Sequence, residues 1–294
     1  MDIKKLAGVV ATILLLGGAL TGAIHGGRKT PVSAWIPLET TEDPTLADGY
    51  RPSCVESATF AMGCFWGPDA LFGSIAGVLR TRVGYAGGTS AYPAYYALGD
   101  HAEAVQIDFD PNLISYGQLL EIFWIGHDPY VEPYSPQYRS LILVHDAAQR
   151  AAAEAWLSRA ARQTDRAPTT EIVALDTFTR AEAYHQKHNL WMSRSVMEDL
   201  LSGFASFQAY VDSTLVARVN GLLAGWGAPE LVDVLVEQLG LAEDTAHRLR
   251  EAAVSDHQSG CGLLIDPALR GTDDTLTGGS PGSEQQSGAS RIDS

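Results

Sequence analysis

The chain has 294 residues, 46% of them hydrophobic and 19% charged, which excludes a wholly disordered polypeptide and a many-span membrane protein. Its 35 acidic and 20 basic side chains leave a formal charge of −15, and that argues against nucleic acid, whose phosphates need a basic face. Three cysteines, Cys54, Cys64 and Cys261, are too few for a disulfide scaffold and too scattered for a zinc site. Their odd number leaves at least one thiol outside any pairing within the chain.

Residues 1–5 carry two lysines and residues 6–24 carry no charge, the pattern of a signal peptide or an N-terminal membrane anchor over residues 1–24. A buried N-terminal helix is the alternative. Export would place the rest of the chain outside the cytoplasm, where thiols oxidise more readily. Residues 25–57, rich in Pro, Thr, Asp and Glu, read as a linker or surface arm.

From residue 58 the pattern tightens. Ala58–Met62 is a short apolar run that ends at Gly63-Cys64, and Phe65–Ile75 has helical spacing. Gly84, Gly87, Gly88 and Pro93 mark Val83–Pro93 as loop. Val105, Ile107 and Phe109 alternate as one face of a strand over 103–109, with Glu103, Gln106 and Asp108 as its polar positions. Ser115 and Gln118 form a capping box for a helix through Trp124. Tyr138–Val144 reads as a strand, Asp146 caps an Ala-rich helix to about Arg162, and Thr170–Leu175 is a further strand. This mixture over residues 58–195 predicts an α/β or α+β catalytic domain. Residues 196–262 lack strand signals and read as a small all-α C-terminal appendage, and residues 263–294 as a disordered tail.

Cys64 stands where an apolar run hands over to a helix. A helix N-terminus has unpaired N–H groups and partial positive charge, which favour a thiolate nucleophile. A buried structural cysteine is the plainer alternative. Glu103, on the residues alone, reads as an ordinary solvated strand position.

Gly63-Cys64-Phe65-Trp66-Gly67 resembles the signature of the methionine sulfoxide reductase A family. The likeness continues in order through Gly84-Tyr85-Ala86-Gly87-Gly88, His101-Ala102-Glu103-Ala104-Val105, Phe123-Trp124 and His127-Asp128-Pro129. Gln137-Tyr138-Arg139-Ser140, Thr170-Glu171-Ile172 and Ala183-Tyr184-His185-Gln186 complete it, over about residues 58–192.

The resemblance implies a two-layer α+β sandwich with a ferredoxin-like core and mixed sheet. It makes Cys64 the nucleophile and Glu103 the acid that protonates the sulfoxide oxygen. By the same resemblance Tyr95 and Tyr138 hydrogen-bond that oxygen, and Phe65 and Trp66 form the apolar cage for the S-methyl group. The chain departs from the family at three places. Asp100 replaces the glycine ahead of the His-Ala-Glu stretch. Val131–Pro136 lacks the family's aspartate, with Glu132 as the nearest substitute. Pro68-Asp69 replaces an apolar residue and Glu, a change expected to be minor.

Attack would leave Cys64 as a sulfenic acid, which condenses with a second thiol. Cys261, in the Gly-flanked Ser259-Gly260-Cys261-Gly262, resembles the family's recycling cysteines in placement; Cys54 is the competitor, and a structural Cys54–Cys261 bond the remaining option. The activity expected is reduction of methionine-S-sulfoxide, free or in oxidised proteins, with thioredoxin or a similar dithiol as reductant and no metal or other cofactor. A weakened sulfoxide-binding or redox-sensing protein is the alternative, and the helical appendage would also suit a docking module.

Overall fold

The computed structural model describes residues 43–47, 49–162, 165–226 and 231–254. The candidate leader at 1–24, Cys261 and the tail at 263–294 lie outside them. Among the described residues no helix is long and apolar enough to cross a membrane.

Six strands make one sheet: β1 (Glu56–Met62), β2 (Val78–Ala86), β3 (Ala102–Phe109), β4 (Ser140–Val144), β5 (Glu171–Ala174) and β6 (Phe178–Arg180), in the order β5-β4-β1-β3-β2-β6. β4 and β5 are parallel, and every other pairing is antiparallel. Helices α1 (Trp66–Gly73), α2 (Tyr116–Ile125) and α3 (Ala147–Ala160) alternate with the first strands. The fold is therefore mixed α/β. Ser115 and Gln118 do form the expected capping box of α2, and Asp146 caps α3.

Strand alternation gives the sheet two buried faces. Phe60, Val105, Ile107 and Phe109 pack with Leu71 and Phe72 of α1 and Phe123 of α2. The other face is built largely from small residues, Ala61, Ala86, Ala102 and Ala104, with Leu141 and Leu143.

Two elements differ from the sequence expectation. Val83–Ala86 is strand, not loop, because Gly84 lets β6 approach: a Cβ there would stand 2.4 Å from the Thr179 carbonyl oxygen. Pro136 begins a single 3₁₀ turn over Pro136–Tyr138, so β4 starts at Ser140 and not at Tyr138.

From residue 188 every described element is helical: α4 (His188–Met192), α5 (Arg194–Leu201), α6 (Phe207–Val211), α7 (Thr214–Leu223), α8 (Leu231–Leu239) and α9 (Glu243–Val254). They share a core around Leu190, Leu200, Val219 and Leu249. Its attachment to α1 is apolar through Ala224 and Trp226, which join the core of Ala70, Leu71 and Phe72, and also polar and buried. Arg218, 1% exposed, donates to the Gly73 and Val78 carbonyls at 2.6 and 2.8 Å and pairs with Asp43 at 2.8 Å. Two of these bonds satisfy carbonyls that a helix end and a turn leave without partners.

Candidate active site

Gly63 has φ +79°, a left-handed turn that swings the chain from β1 directly into α1. Cys64 thus lies just ahead of Phe65, which occupies the N-cap position of α1. The free N–H groups of that first turn favour negative charge beside it. One of them is already engaged: the Phe65 N–H donates to Glu103 Oε2 at 3.0 Å.

Glu103 reaches this point from β3. Phe60 pairs with Val105, so the same register sets Met62 level with Glu103 at the end of β1. By strand parity Glu103 shares the face of Val105, Ile107 and Phe109, and it is 2% exposed. The reading of Glu103 as a solvated polar position is corrected by that parity. Burial raises its carboxyl above the ordinary range, although donors from Gln137 (Nε2 to Oε1, 2.6 Å) and Phe65 pull the other way. Neither donor is charged, so the carboxyl can keep its proton.

Cys64, Glu103, Trp66, Tyr95 and Tyr138 all line one cavity of about 480 Å³. Five of the six residues assigned to catalysis and the methyl cage are therefore brought together. Phe65 is the exception. Its ring is 1% exposed and packs with Val83, Tyr85 and Leu98, and it is not part of the cavity wall. Phe65 supplies the site with its backbone N–H, and its ring lies in the cluster against which Trp66 and Tyr95 pack.

Each wall is held from behind. The Trp66 indole stacks on His188 at 3.5 Å and 3°, and its Nε1–H donates to His185 Nδ1 at 3.2 Å. That bond needs neutral His185, and burial lowers its pKa accordingly. Glu182 grips the opposite wall, accepting the Tyr95 N–H at 3.0 Å and the Tyr85 hydroxyl at 2.7 Å. Burial, first, raises both the Tyr95 and Tyr138 phenols, and for Tyr138 the hydrogen bond with Tyr134 comes next. Both stay hydrogen-bond donors at any working pH.

Sequence reasoning assigned no role to His127, Ser140 or Gln137, although all three stand inside the quoted motifs. Burial lowers the His127 pKa to about 4, so the ring is neutral. Its Nδ1–H donates to the Phe123 carbonyl at 2.7 Å, so Nε2 accepts from the Ser140 hydroxyl at 2.8 Å. Ser140 in turn accepts from Thr170 at 2.8 Å, and a single chain of donors runs along the cavity floor.

The departures from the family pattern find physical roles. Asp100 accepts from both the backbone and the hydroxyls of Thr89 and Ser90, which drives its carboxyl well below the usual range and ties down the loop before β3. Glu132 and Tyr134, from the 131–136 loop, stand at the cavity wall. Asp69 is no minor change. Fully buried, it pairs with Lys187 Nζ at 2.8 Å and accepts from the Thr81 hydroxyl at 2.6 Å.

Cys54 is exposed and precedes β1, whereas Cys64 follows it. The 7 residues of β1 hold its ends about 20 Å apart, while a disulfide needs Cα atoms within about 7 Å. With β1 intact, Cys54 could reach Cys64 only if both flanking segments doubled back along the strand. Among the described residues no group of three His, Cys, Asp or Glu side chains could hold a metal ion.

A family model described as peptide methionine sulfoxide reductase matches residues 56–198. A peptide methionine sulfoxide reductase of Drosophila melanogaster is 45% identical over 190 residues, covering 63% of this chain and 75% of its own length. A peptide methionine sulfoxide reductase A5 of Oryza sativa subsp. japonica is 38% identical over 233 residues, 76% of this chain and 87% of that one. A solved methionine sulfoxide reductase A of Corynebacterium diphtheriae aligns over 48% of this chain and 76% of its own, with 28% identity and a TM-score of 0.42. On the matched family model and the two sequence relatives, the chain belongs to the peptide methionine sulfoxide reductase family.

Proposed function

We propose that this chain is an oxidoreductase that reduces methionine-S-sulfoxide to methionine through Cys64. The observation that carries the reading is the meeting of Cys64 and a buried, neutral-partnered Glu103 in one aromatic-walled cavity. The Cys64 thiolate attacks the sulfoxide sulfur, and Glu103 delivers a proton to the oxygen. The oxygen ends on Cys64 as a sulfenic acid while the substrate leaves as a thioether, two electrons having passed from the cysteine sulfur to the substrate. Tyr95 and Tyr138 supply hydrogen bonds to the same oxygen. Trp66 is the apolar wall for the methyl group.

The sulfenic acid is reset by condensation with a second thiol, releasing water, and the disulfide is then reduced by thioredoxin or a similar dithiol. Cys261 lies outside the described residues. The length of β1 favours it, or an external thiol, over Cys54 as the partner of Cys64. The core suits a ferredoxin-like reading: the connectivity β1-α1-β2-β3-α2-β4 with the antiparallel order β4-β1-β3-β2 supports it. The limits 58–195 for the catalytic domain, a helical appendage after it, and action outside the cytoplasm remain part of the proposal.

The test is steady turnover of a methionine sulfoxide peptide with dithiothreitol, which Cys64→Ser is expected to abolish. A single stoichiometric burst without turnover would favour the binding or sensing role. Glu132, in the loop that lacks the family's aspartate, stands at the cavity wall.

A further inference from the structure

The mouth of the cavity carries exposed aromatic side chains, of which Tyr134 also hydrogen-bonds Tyr138. Tyr96 is 93% exposed and Tyr134 is 86% exposed, values unusual for side chains of this size. Each continues the wall outward: the Tyr96 ring meets Tyr95 edge-on at 5.2 Å, and Tyr134 lies 5.0 Å from Tyr138. Tyr184, also exposed, stands within electrostatic reach of both Tyr95 and Tyr96. Phenol rings left in water at the lip of a reaction cavity are a contact surface for whatever extends out of it.

The cavity wall itself is acidic: Asp128 and Glu132 line it, and no arginine or lysine does. The nearby Arg166 is held over the Tyr130 ring and on the Tyr130 carbonyl. Arg139, next in sequence to Tyr138, is spent on the Gly87 and Asp100 carbonyls at 3.1 and 3.0 Å. Tyrosine faces beside unpaired carboxylates suit a cation better than any other side chain, through ring and charge attraction together.

We propose that the Tyr96, Tyr134 and Tyr184 rim seats the polypeptide flanking the oxidised methionine and, with Glu132, selects segments in which arginine or lysine adjoins it. This rests on the reading of the cavity as a methionine sulfoxide site. The occupant is the substrate chain itself, because the rim is continuous with the cavity that holds the reacting residue.

The full chain, with dithiothreitol as reductant, is assayed on N-acetyl-methionine sulfoxide and on two otherwise identical peptides. One peptide has arginine on both sides of the sulfoxide and the other has glutamate. At low salt the arginine peptide is expected to show about 2–5-fold higher kcat/KM than the glutamate peptide, carried by KM and reduced as salt rises. Glu132→Gln is expected to narrow that difference. Tyr96→Ala is expected to raise KM for the arginine peptide about 2–5-fold more than for N-acetyl-methionine sulfoxide. An equal or reversed preference between the peptides overturns the proposal, as does a Tyr96→Ala effect of the same size on all three substrates. Absence of turnover on every substrate would instead remove the methionine sulfoxide reading, and the rim proposal with it.

Discussion

Two buried carboxylates flank α1, and their surroundings are opposite. Glu103 stands at the N-terminal end of the helix, 2% exposed, and receives only neutral donors, the Gln137 amide and the Phe65 N–H. Asp69 lies within the helix, fully buried, and faces the Lys187 ammonium at 2.8 Å. Neutral donors orient a carboxyl while leaving burial free to raise its proton affinity; an ammonium holds the charge in place. One end of α1 is therefore built to move a proton. Its flank is built to stay fixed, tying α1 to α4 and, through Asn220, to α7.

The comparison breaks most severely at Glu103. Glu103→Gln is expected to slow single-turnover reduction by about 10²–10⁴, measured by quench flow, since the acid is lost but the shape is kept. The same variant should not lower stability. A carboxyl whose pKa is raised by folding stabilises below its unfolded value, and that contribution is lost as pH rises through the folded value. At neutral pH the amide therefore replaces a group that costs free energy to ionise, and Gln137 can rotate its amide to meet it. A marked fall in thermal midpoint would count against this.

On the fixed side the effect should be the converse. Lys187→Met leaves Asp69 buried without its ammonium and is expected to destabilise by about 3–5 kcal/mol in denaturant titration, with turnover per folded molecule nearly unchanged. Adding Asp69→Asn, which removes the charge but keeps an acceptor for the Thr81, Asn220 and Lys187 backbone donors, should recover part of the loss. Failure to recover any would deny that the pair is the cause.

Two smaller changes sharpen the contrast. Gln137→Met removes one of the two donors that hold the Glu103 pKa down, so the alkaline fall in rate should move to higher pH, by about one unit. Asp146→Ala, which removes the cap of α3 far from both carboxylates, should cost about 1 kcal/mol and leave the pH profile untouched.

Much of this could be read from the chain and some could not. The motifs placed Cys64, Glu103, Trp66, Tyr95 and Tyr138 in one site because short, ordered signatures survive as sequence. Counting strand parity correctly from Val105 back to Glu103 would have shown its burial as well. Phe65 was harder to place because an aromatic at an N-cap can turn either to the cavity or to the core, and here its ring packs with Val83, Tyr85, Trp66 and Tyr95. The Asp69–Lys187 pair joins residues 118 apart in sequence, and no local pattern marks Lys187 as buried, although it is 0% exposed. Gly84 resembled a loop breaker, and its purpose emerges only once β6 lies against it. Local chemistry was legible; partnerships across the fold were not.

The central claim is that Glu103 donates the proton while Cys64 attacks. The pH dependence of the single-turnover rate, compared between the natural chain and Glu103→Gln, tests it most directly. The account predicts a bell for the natural chain, rising as the Cys64 thiolate forms and falling as Glu103 loses its proton. Glu103→Gln should keep the rise, lose the fall and run about 10²–10⁴ slower at the maximum. An unchanged bell of similar height in the variant would contradict it.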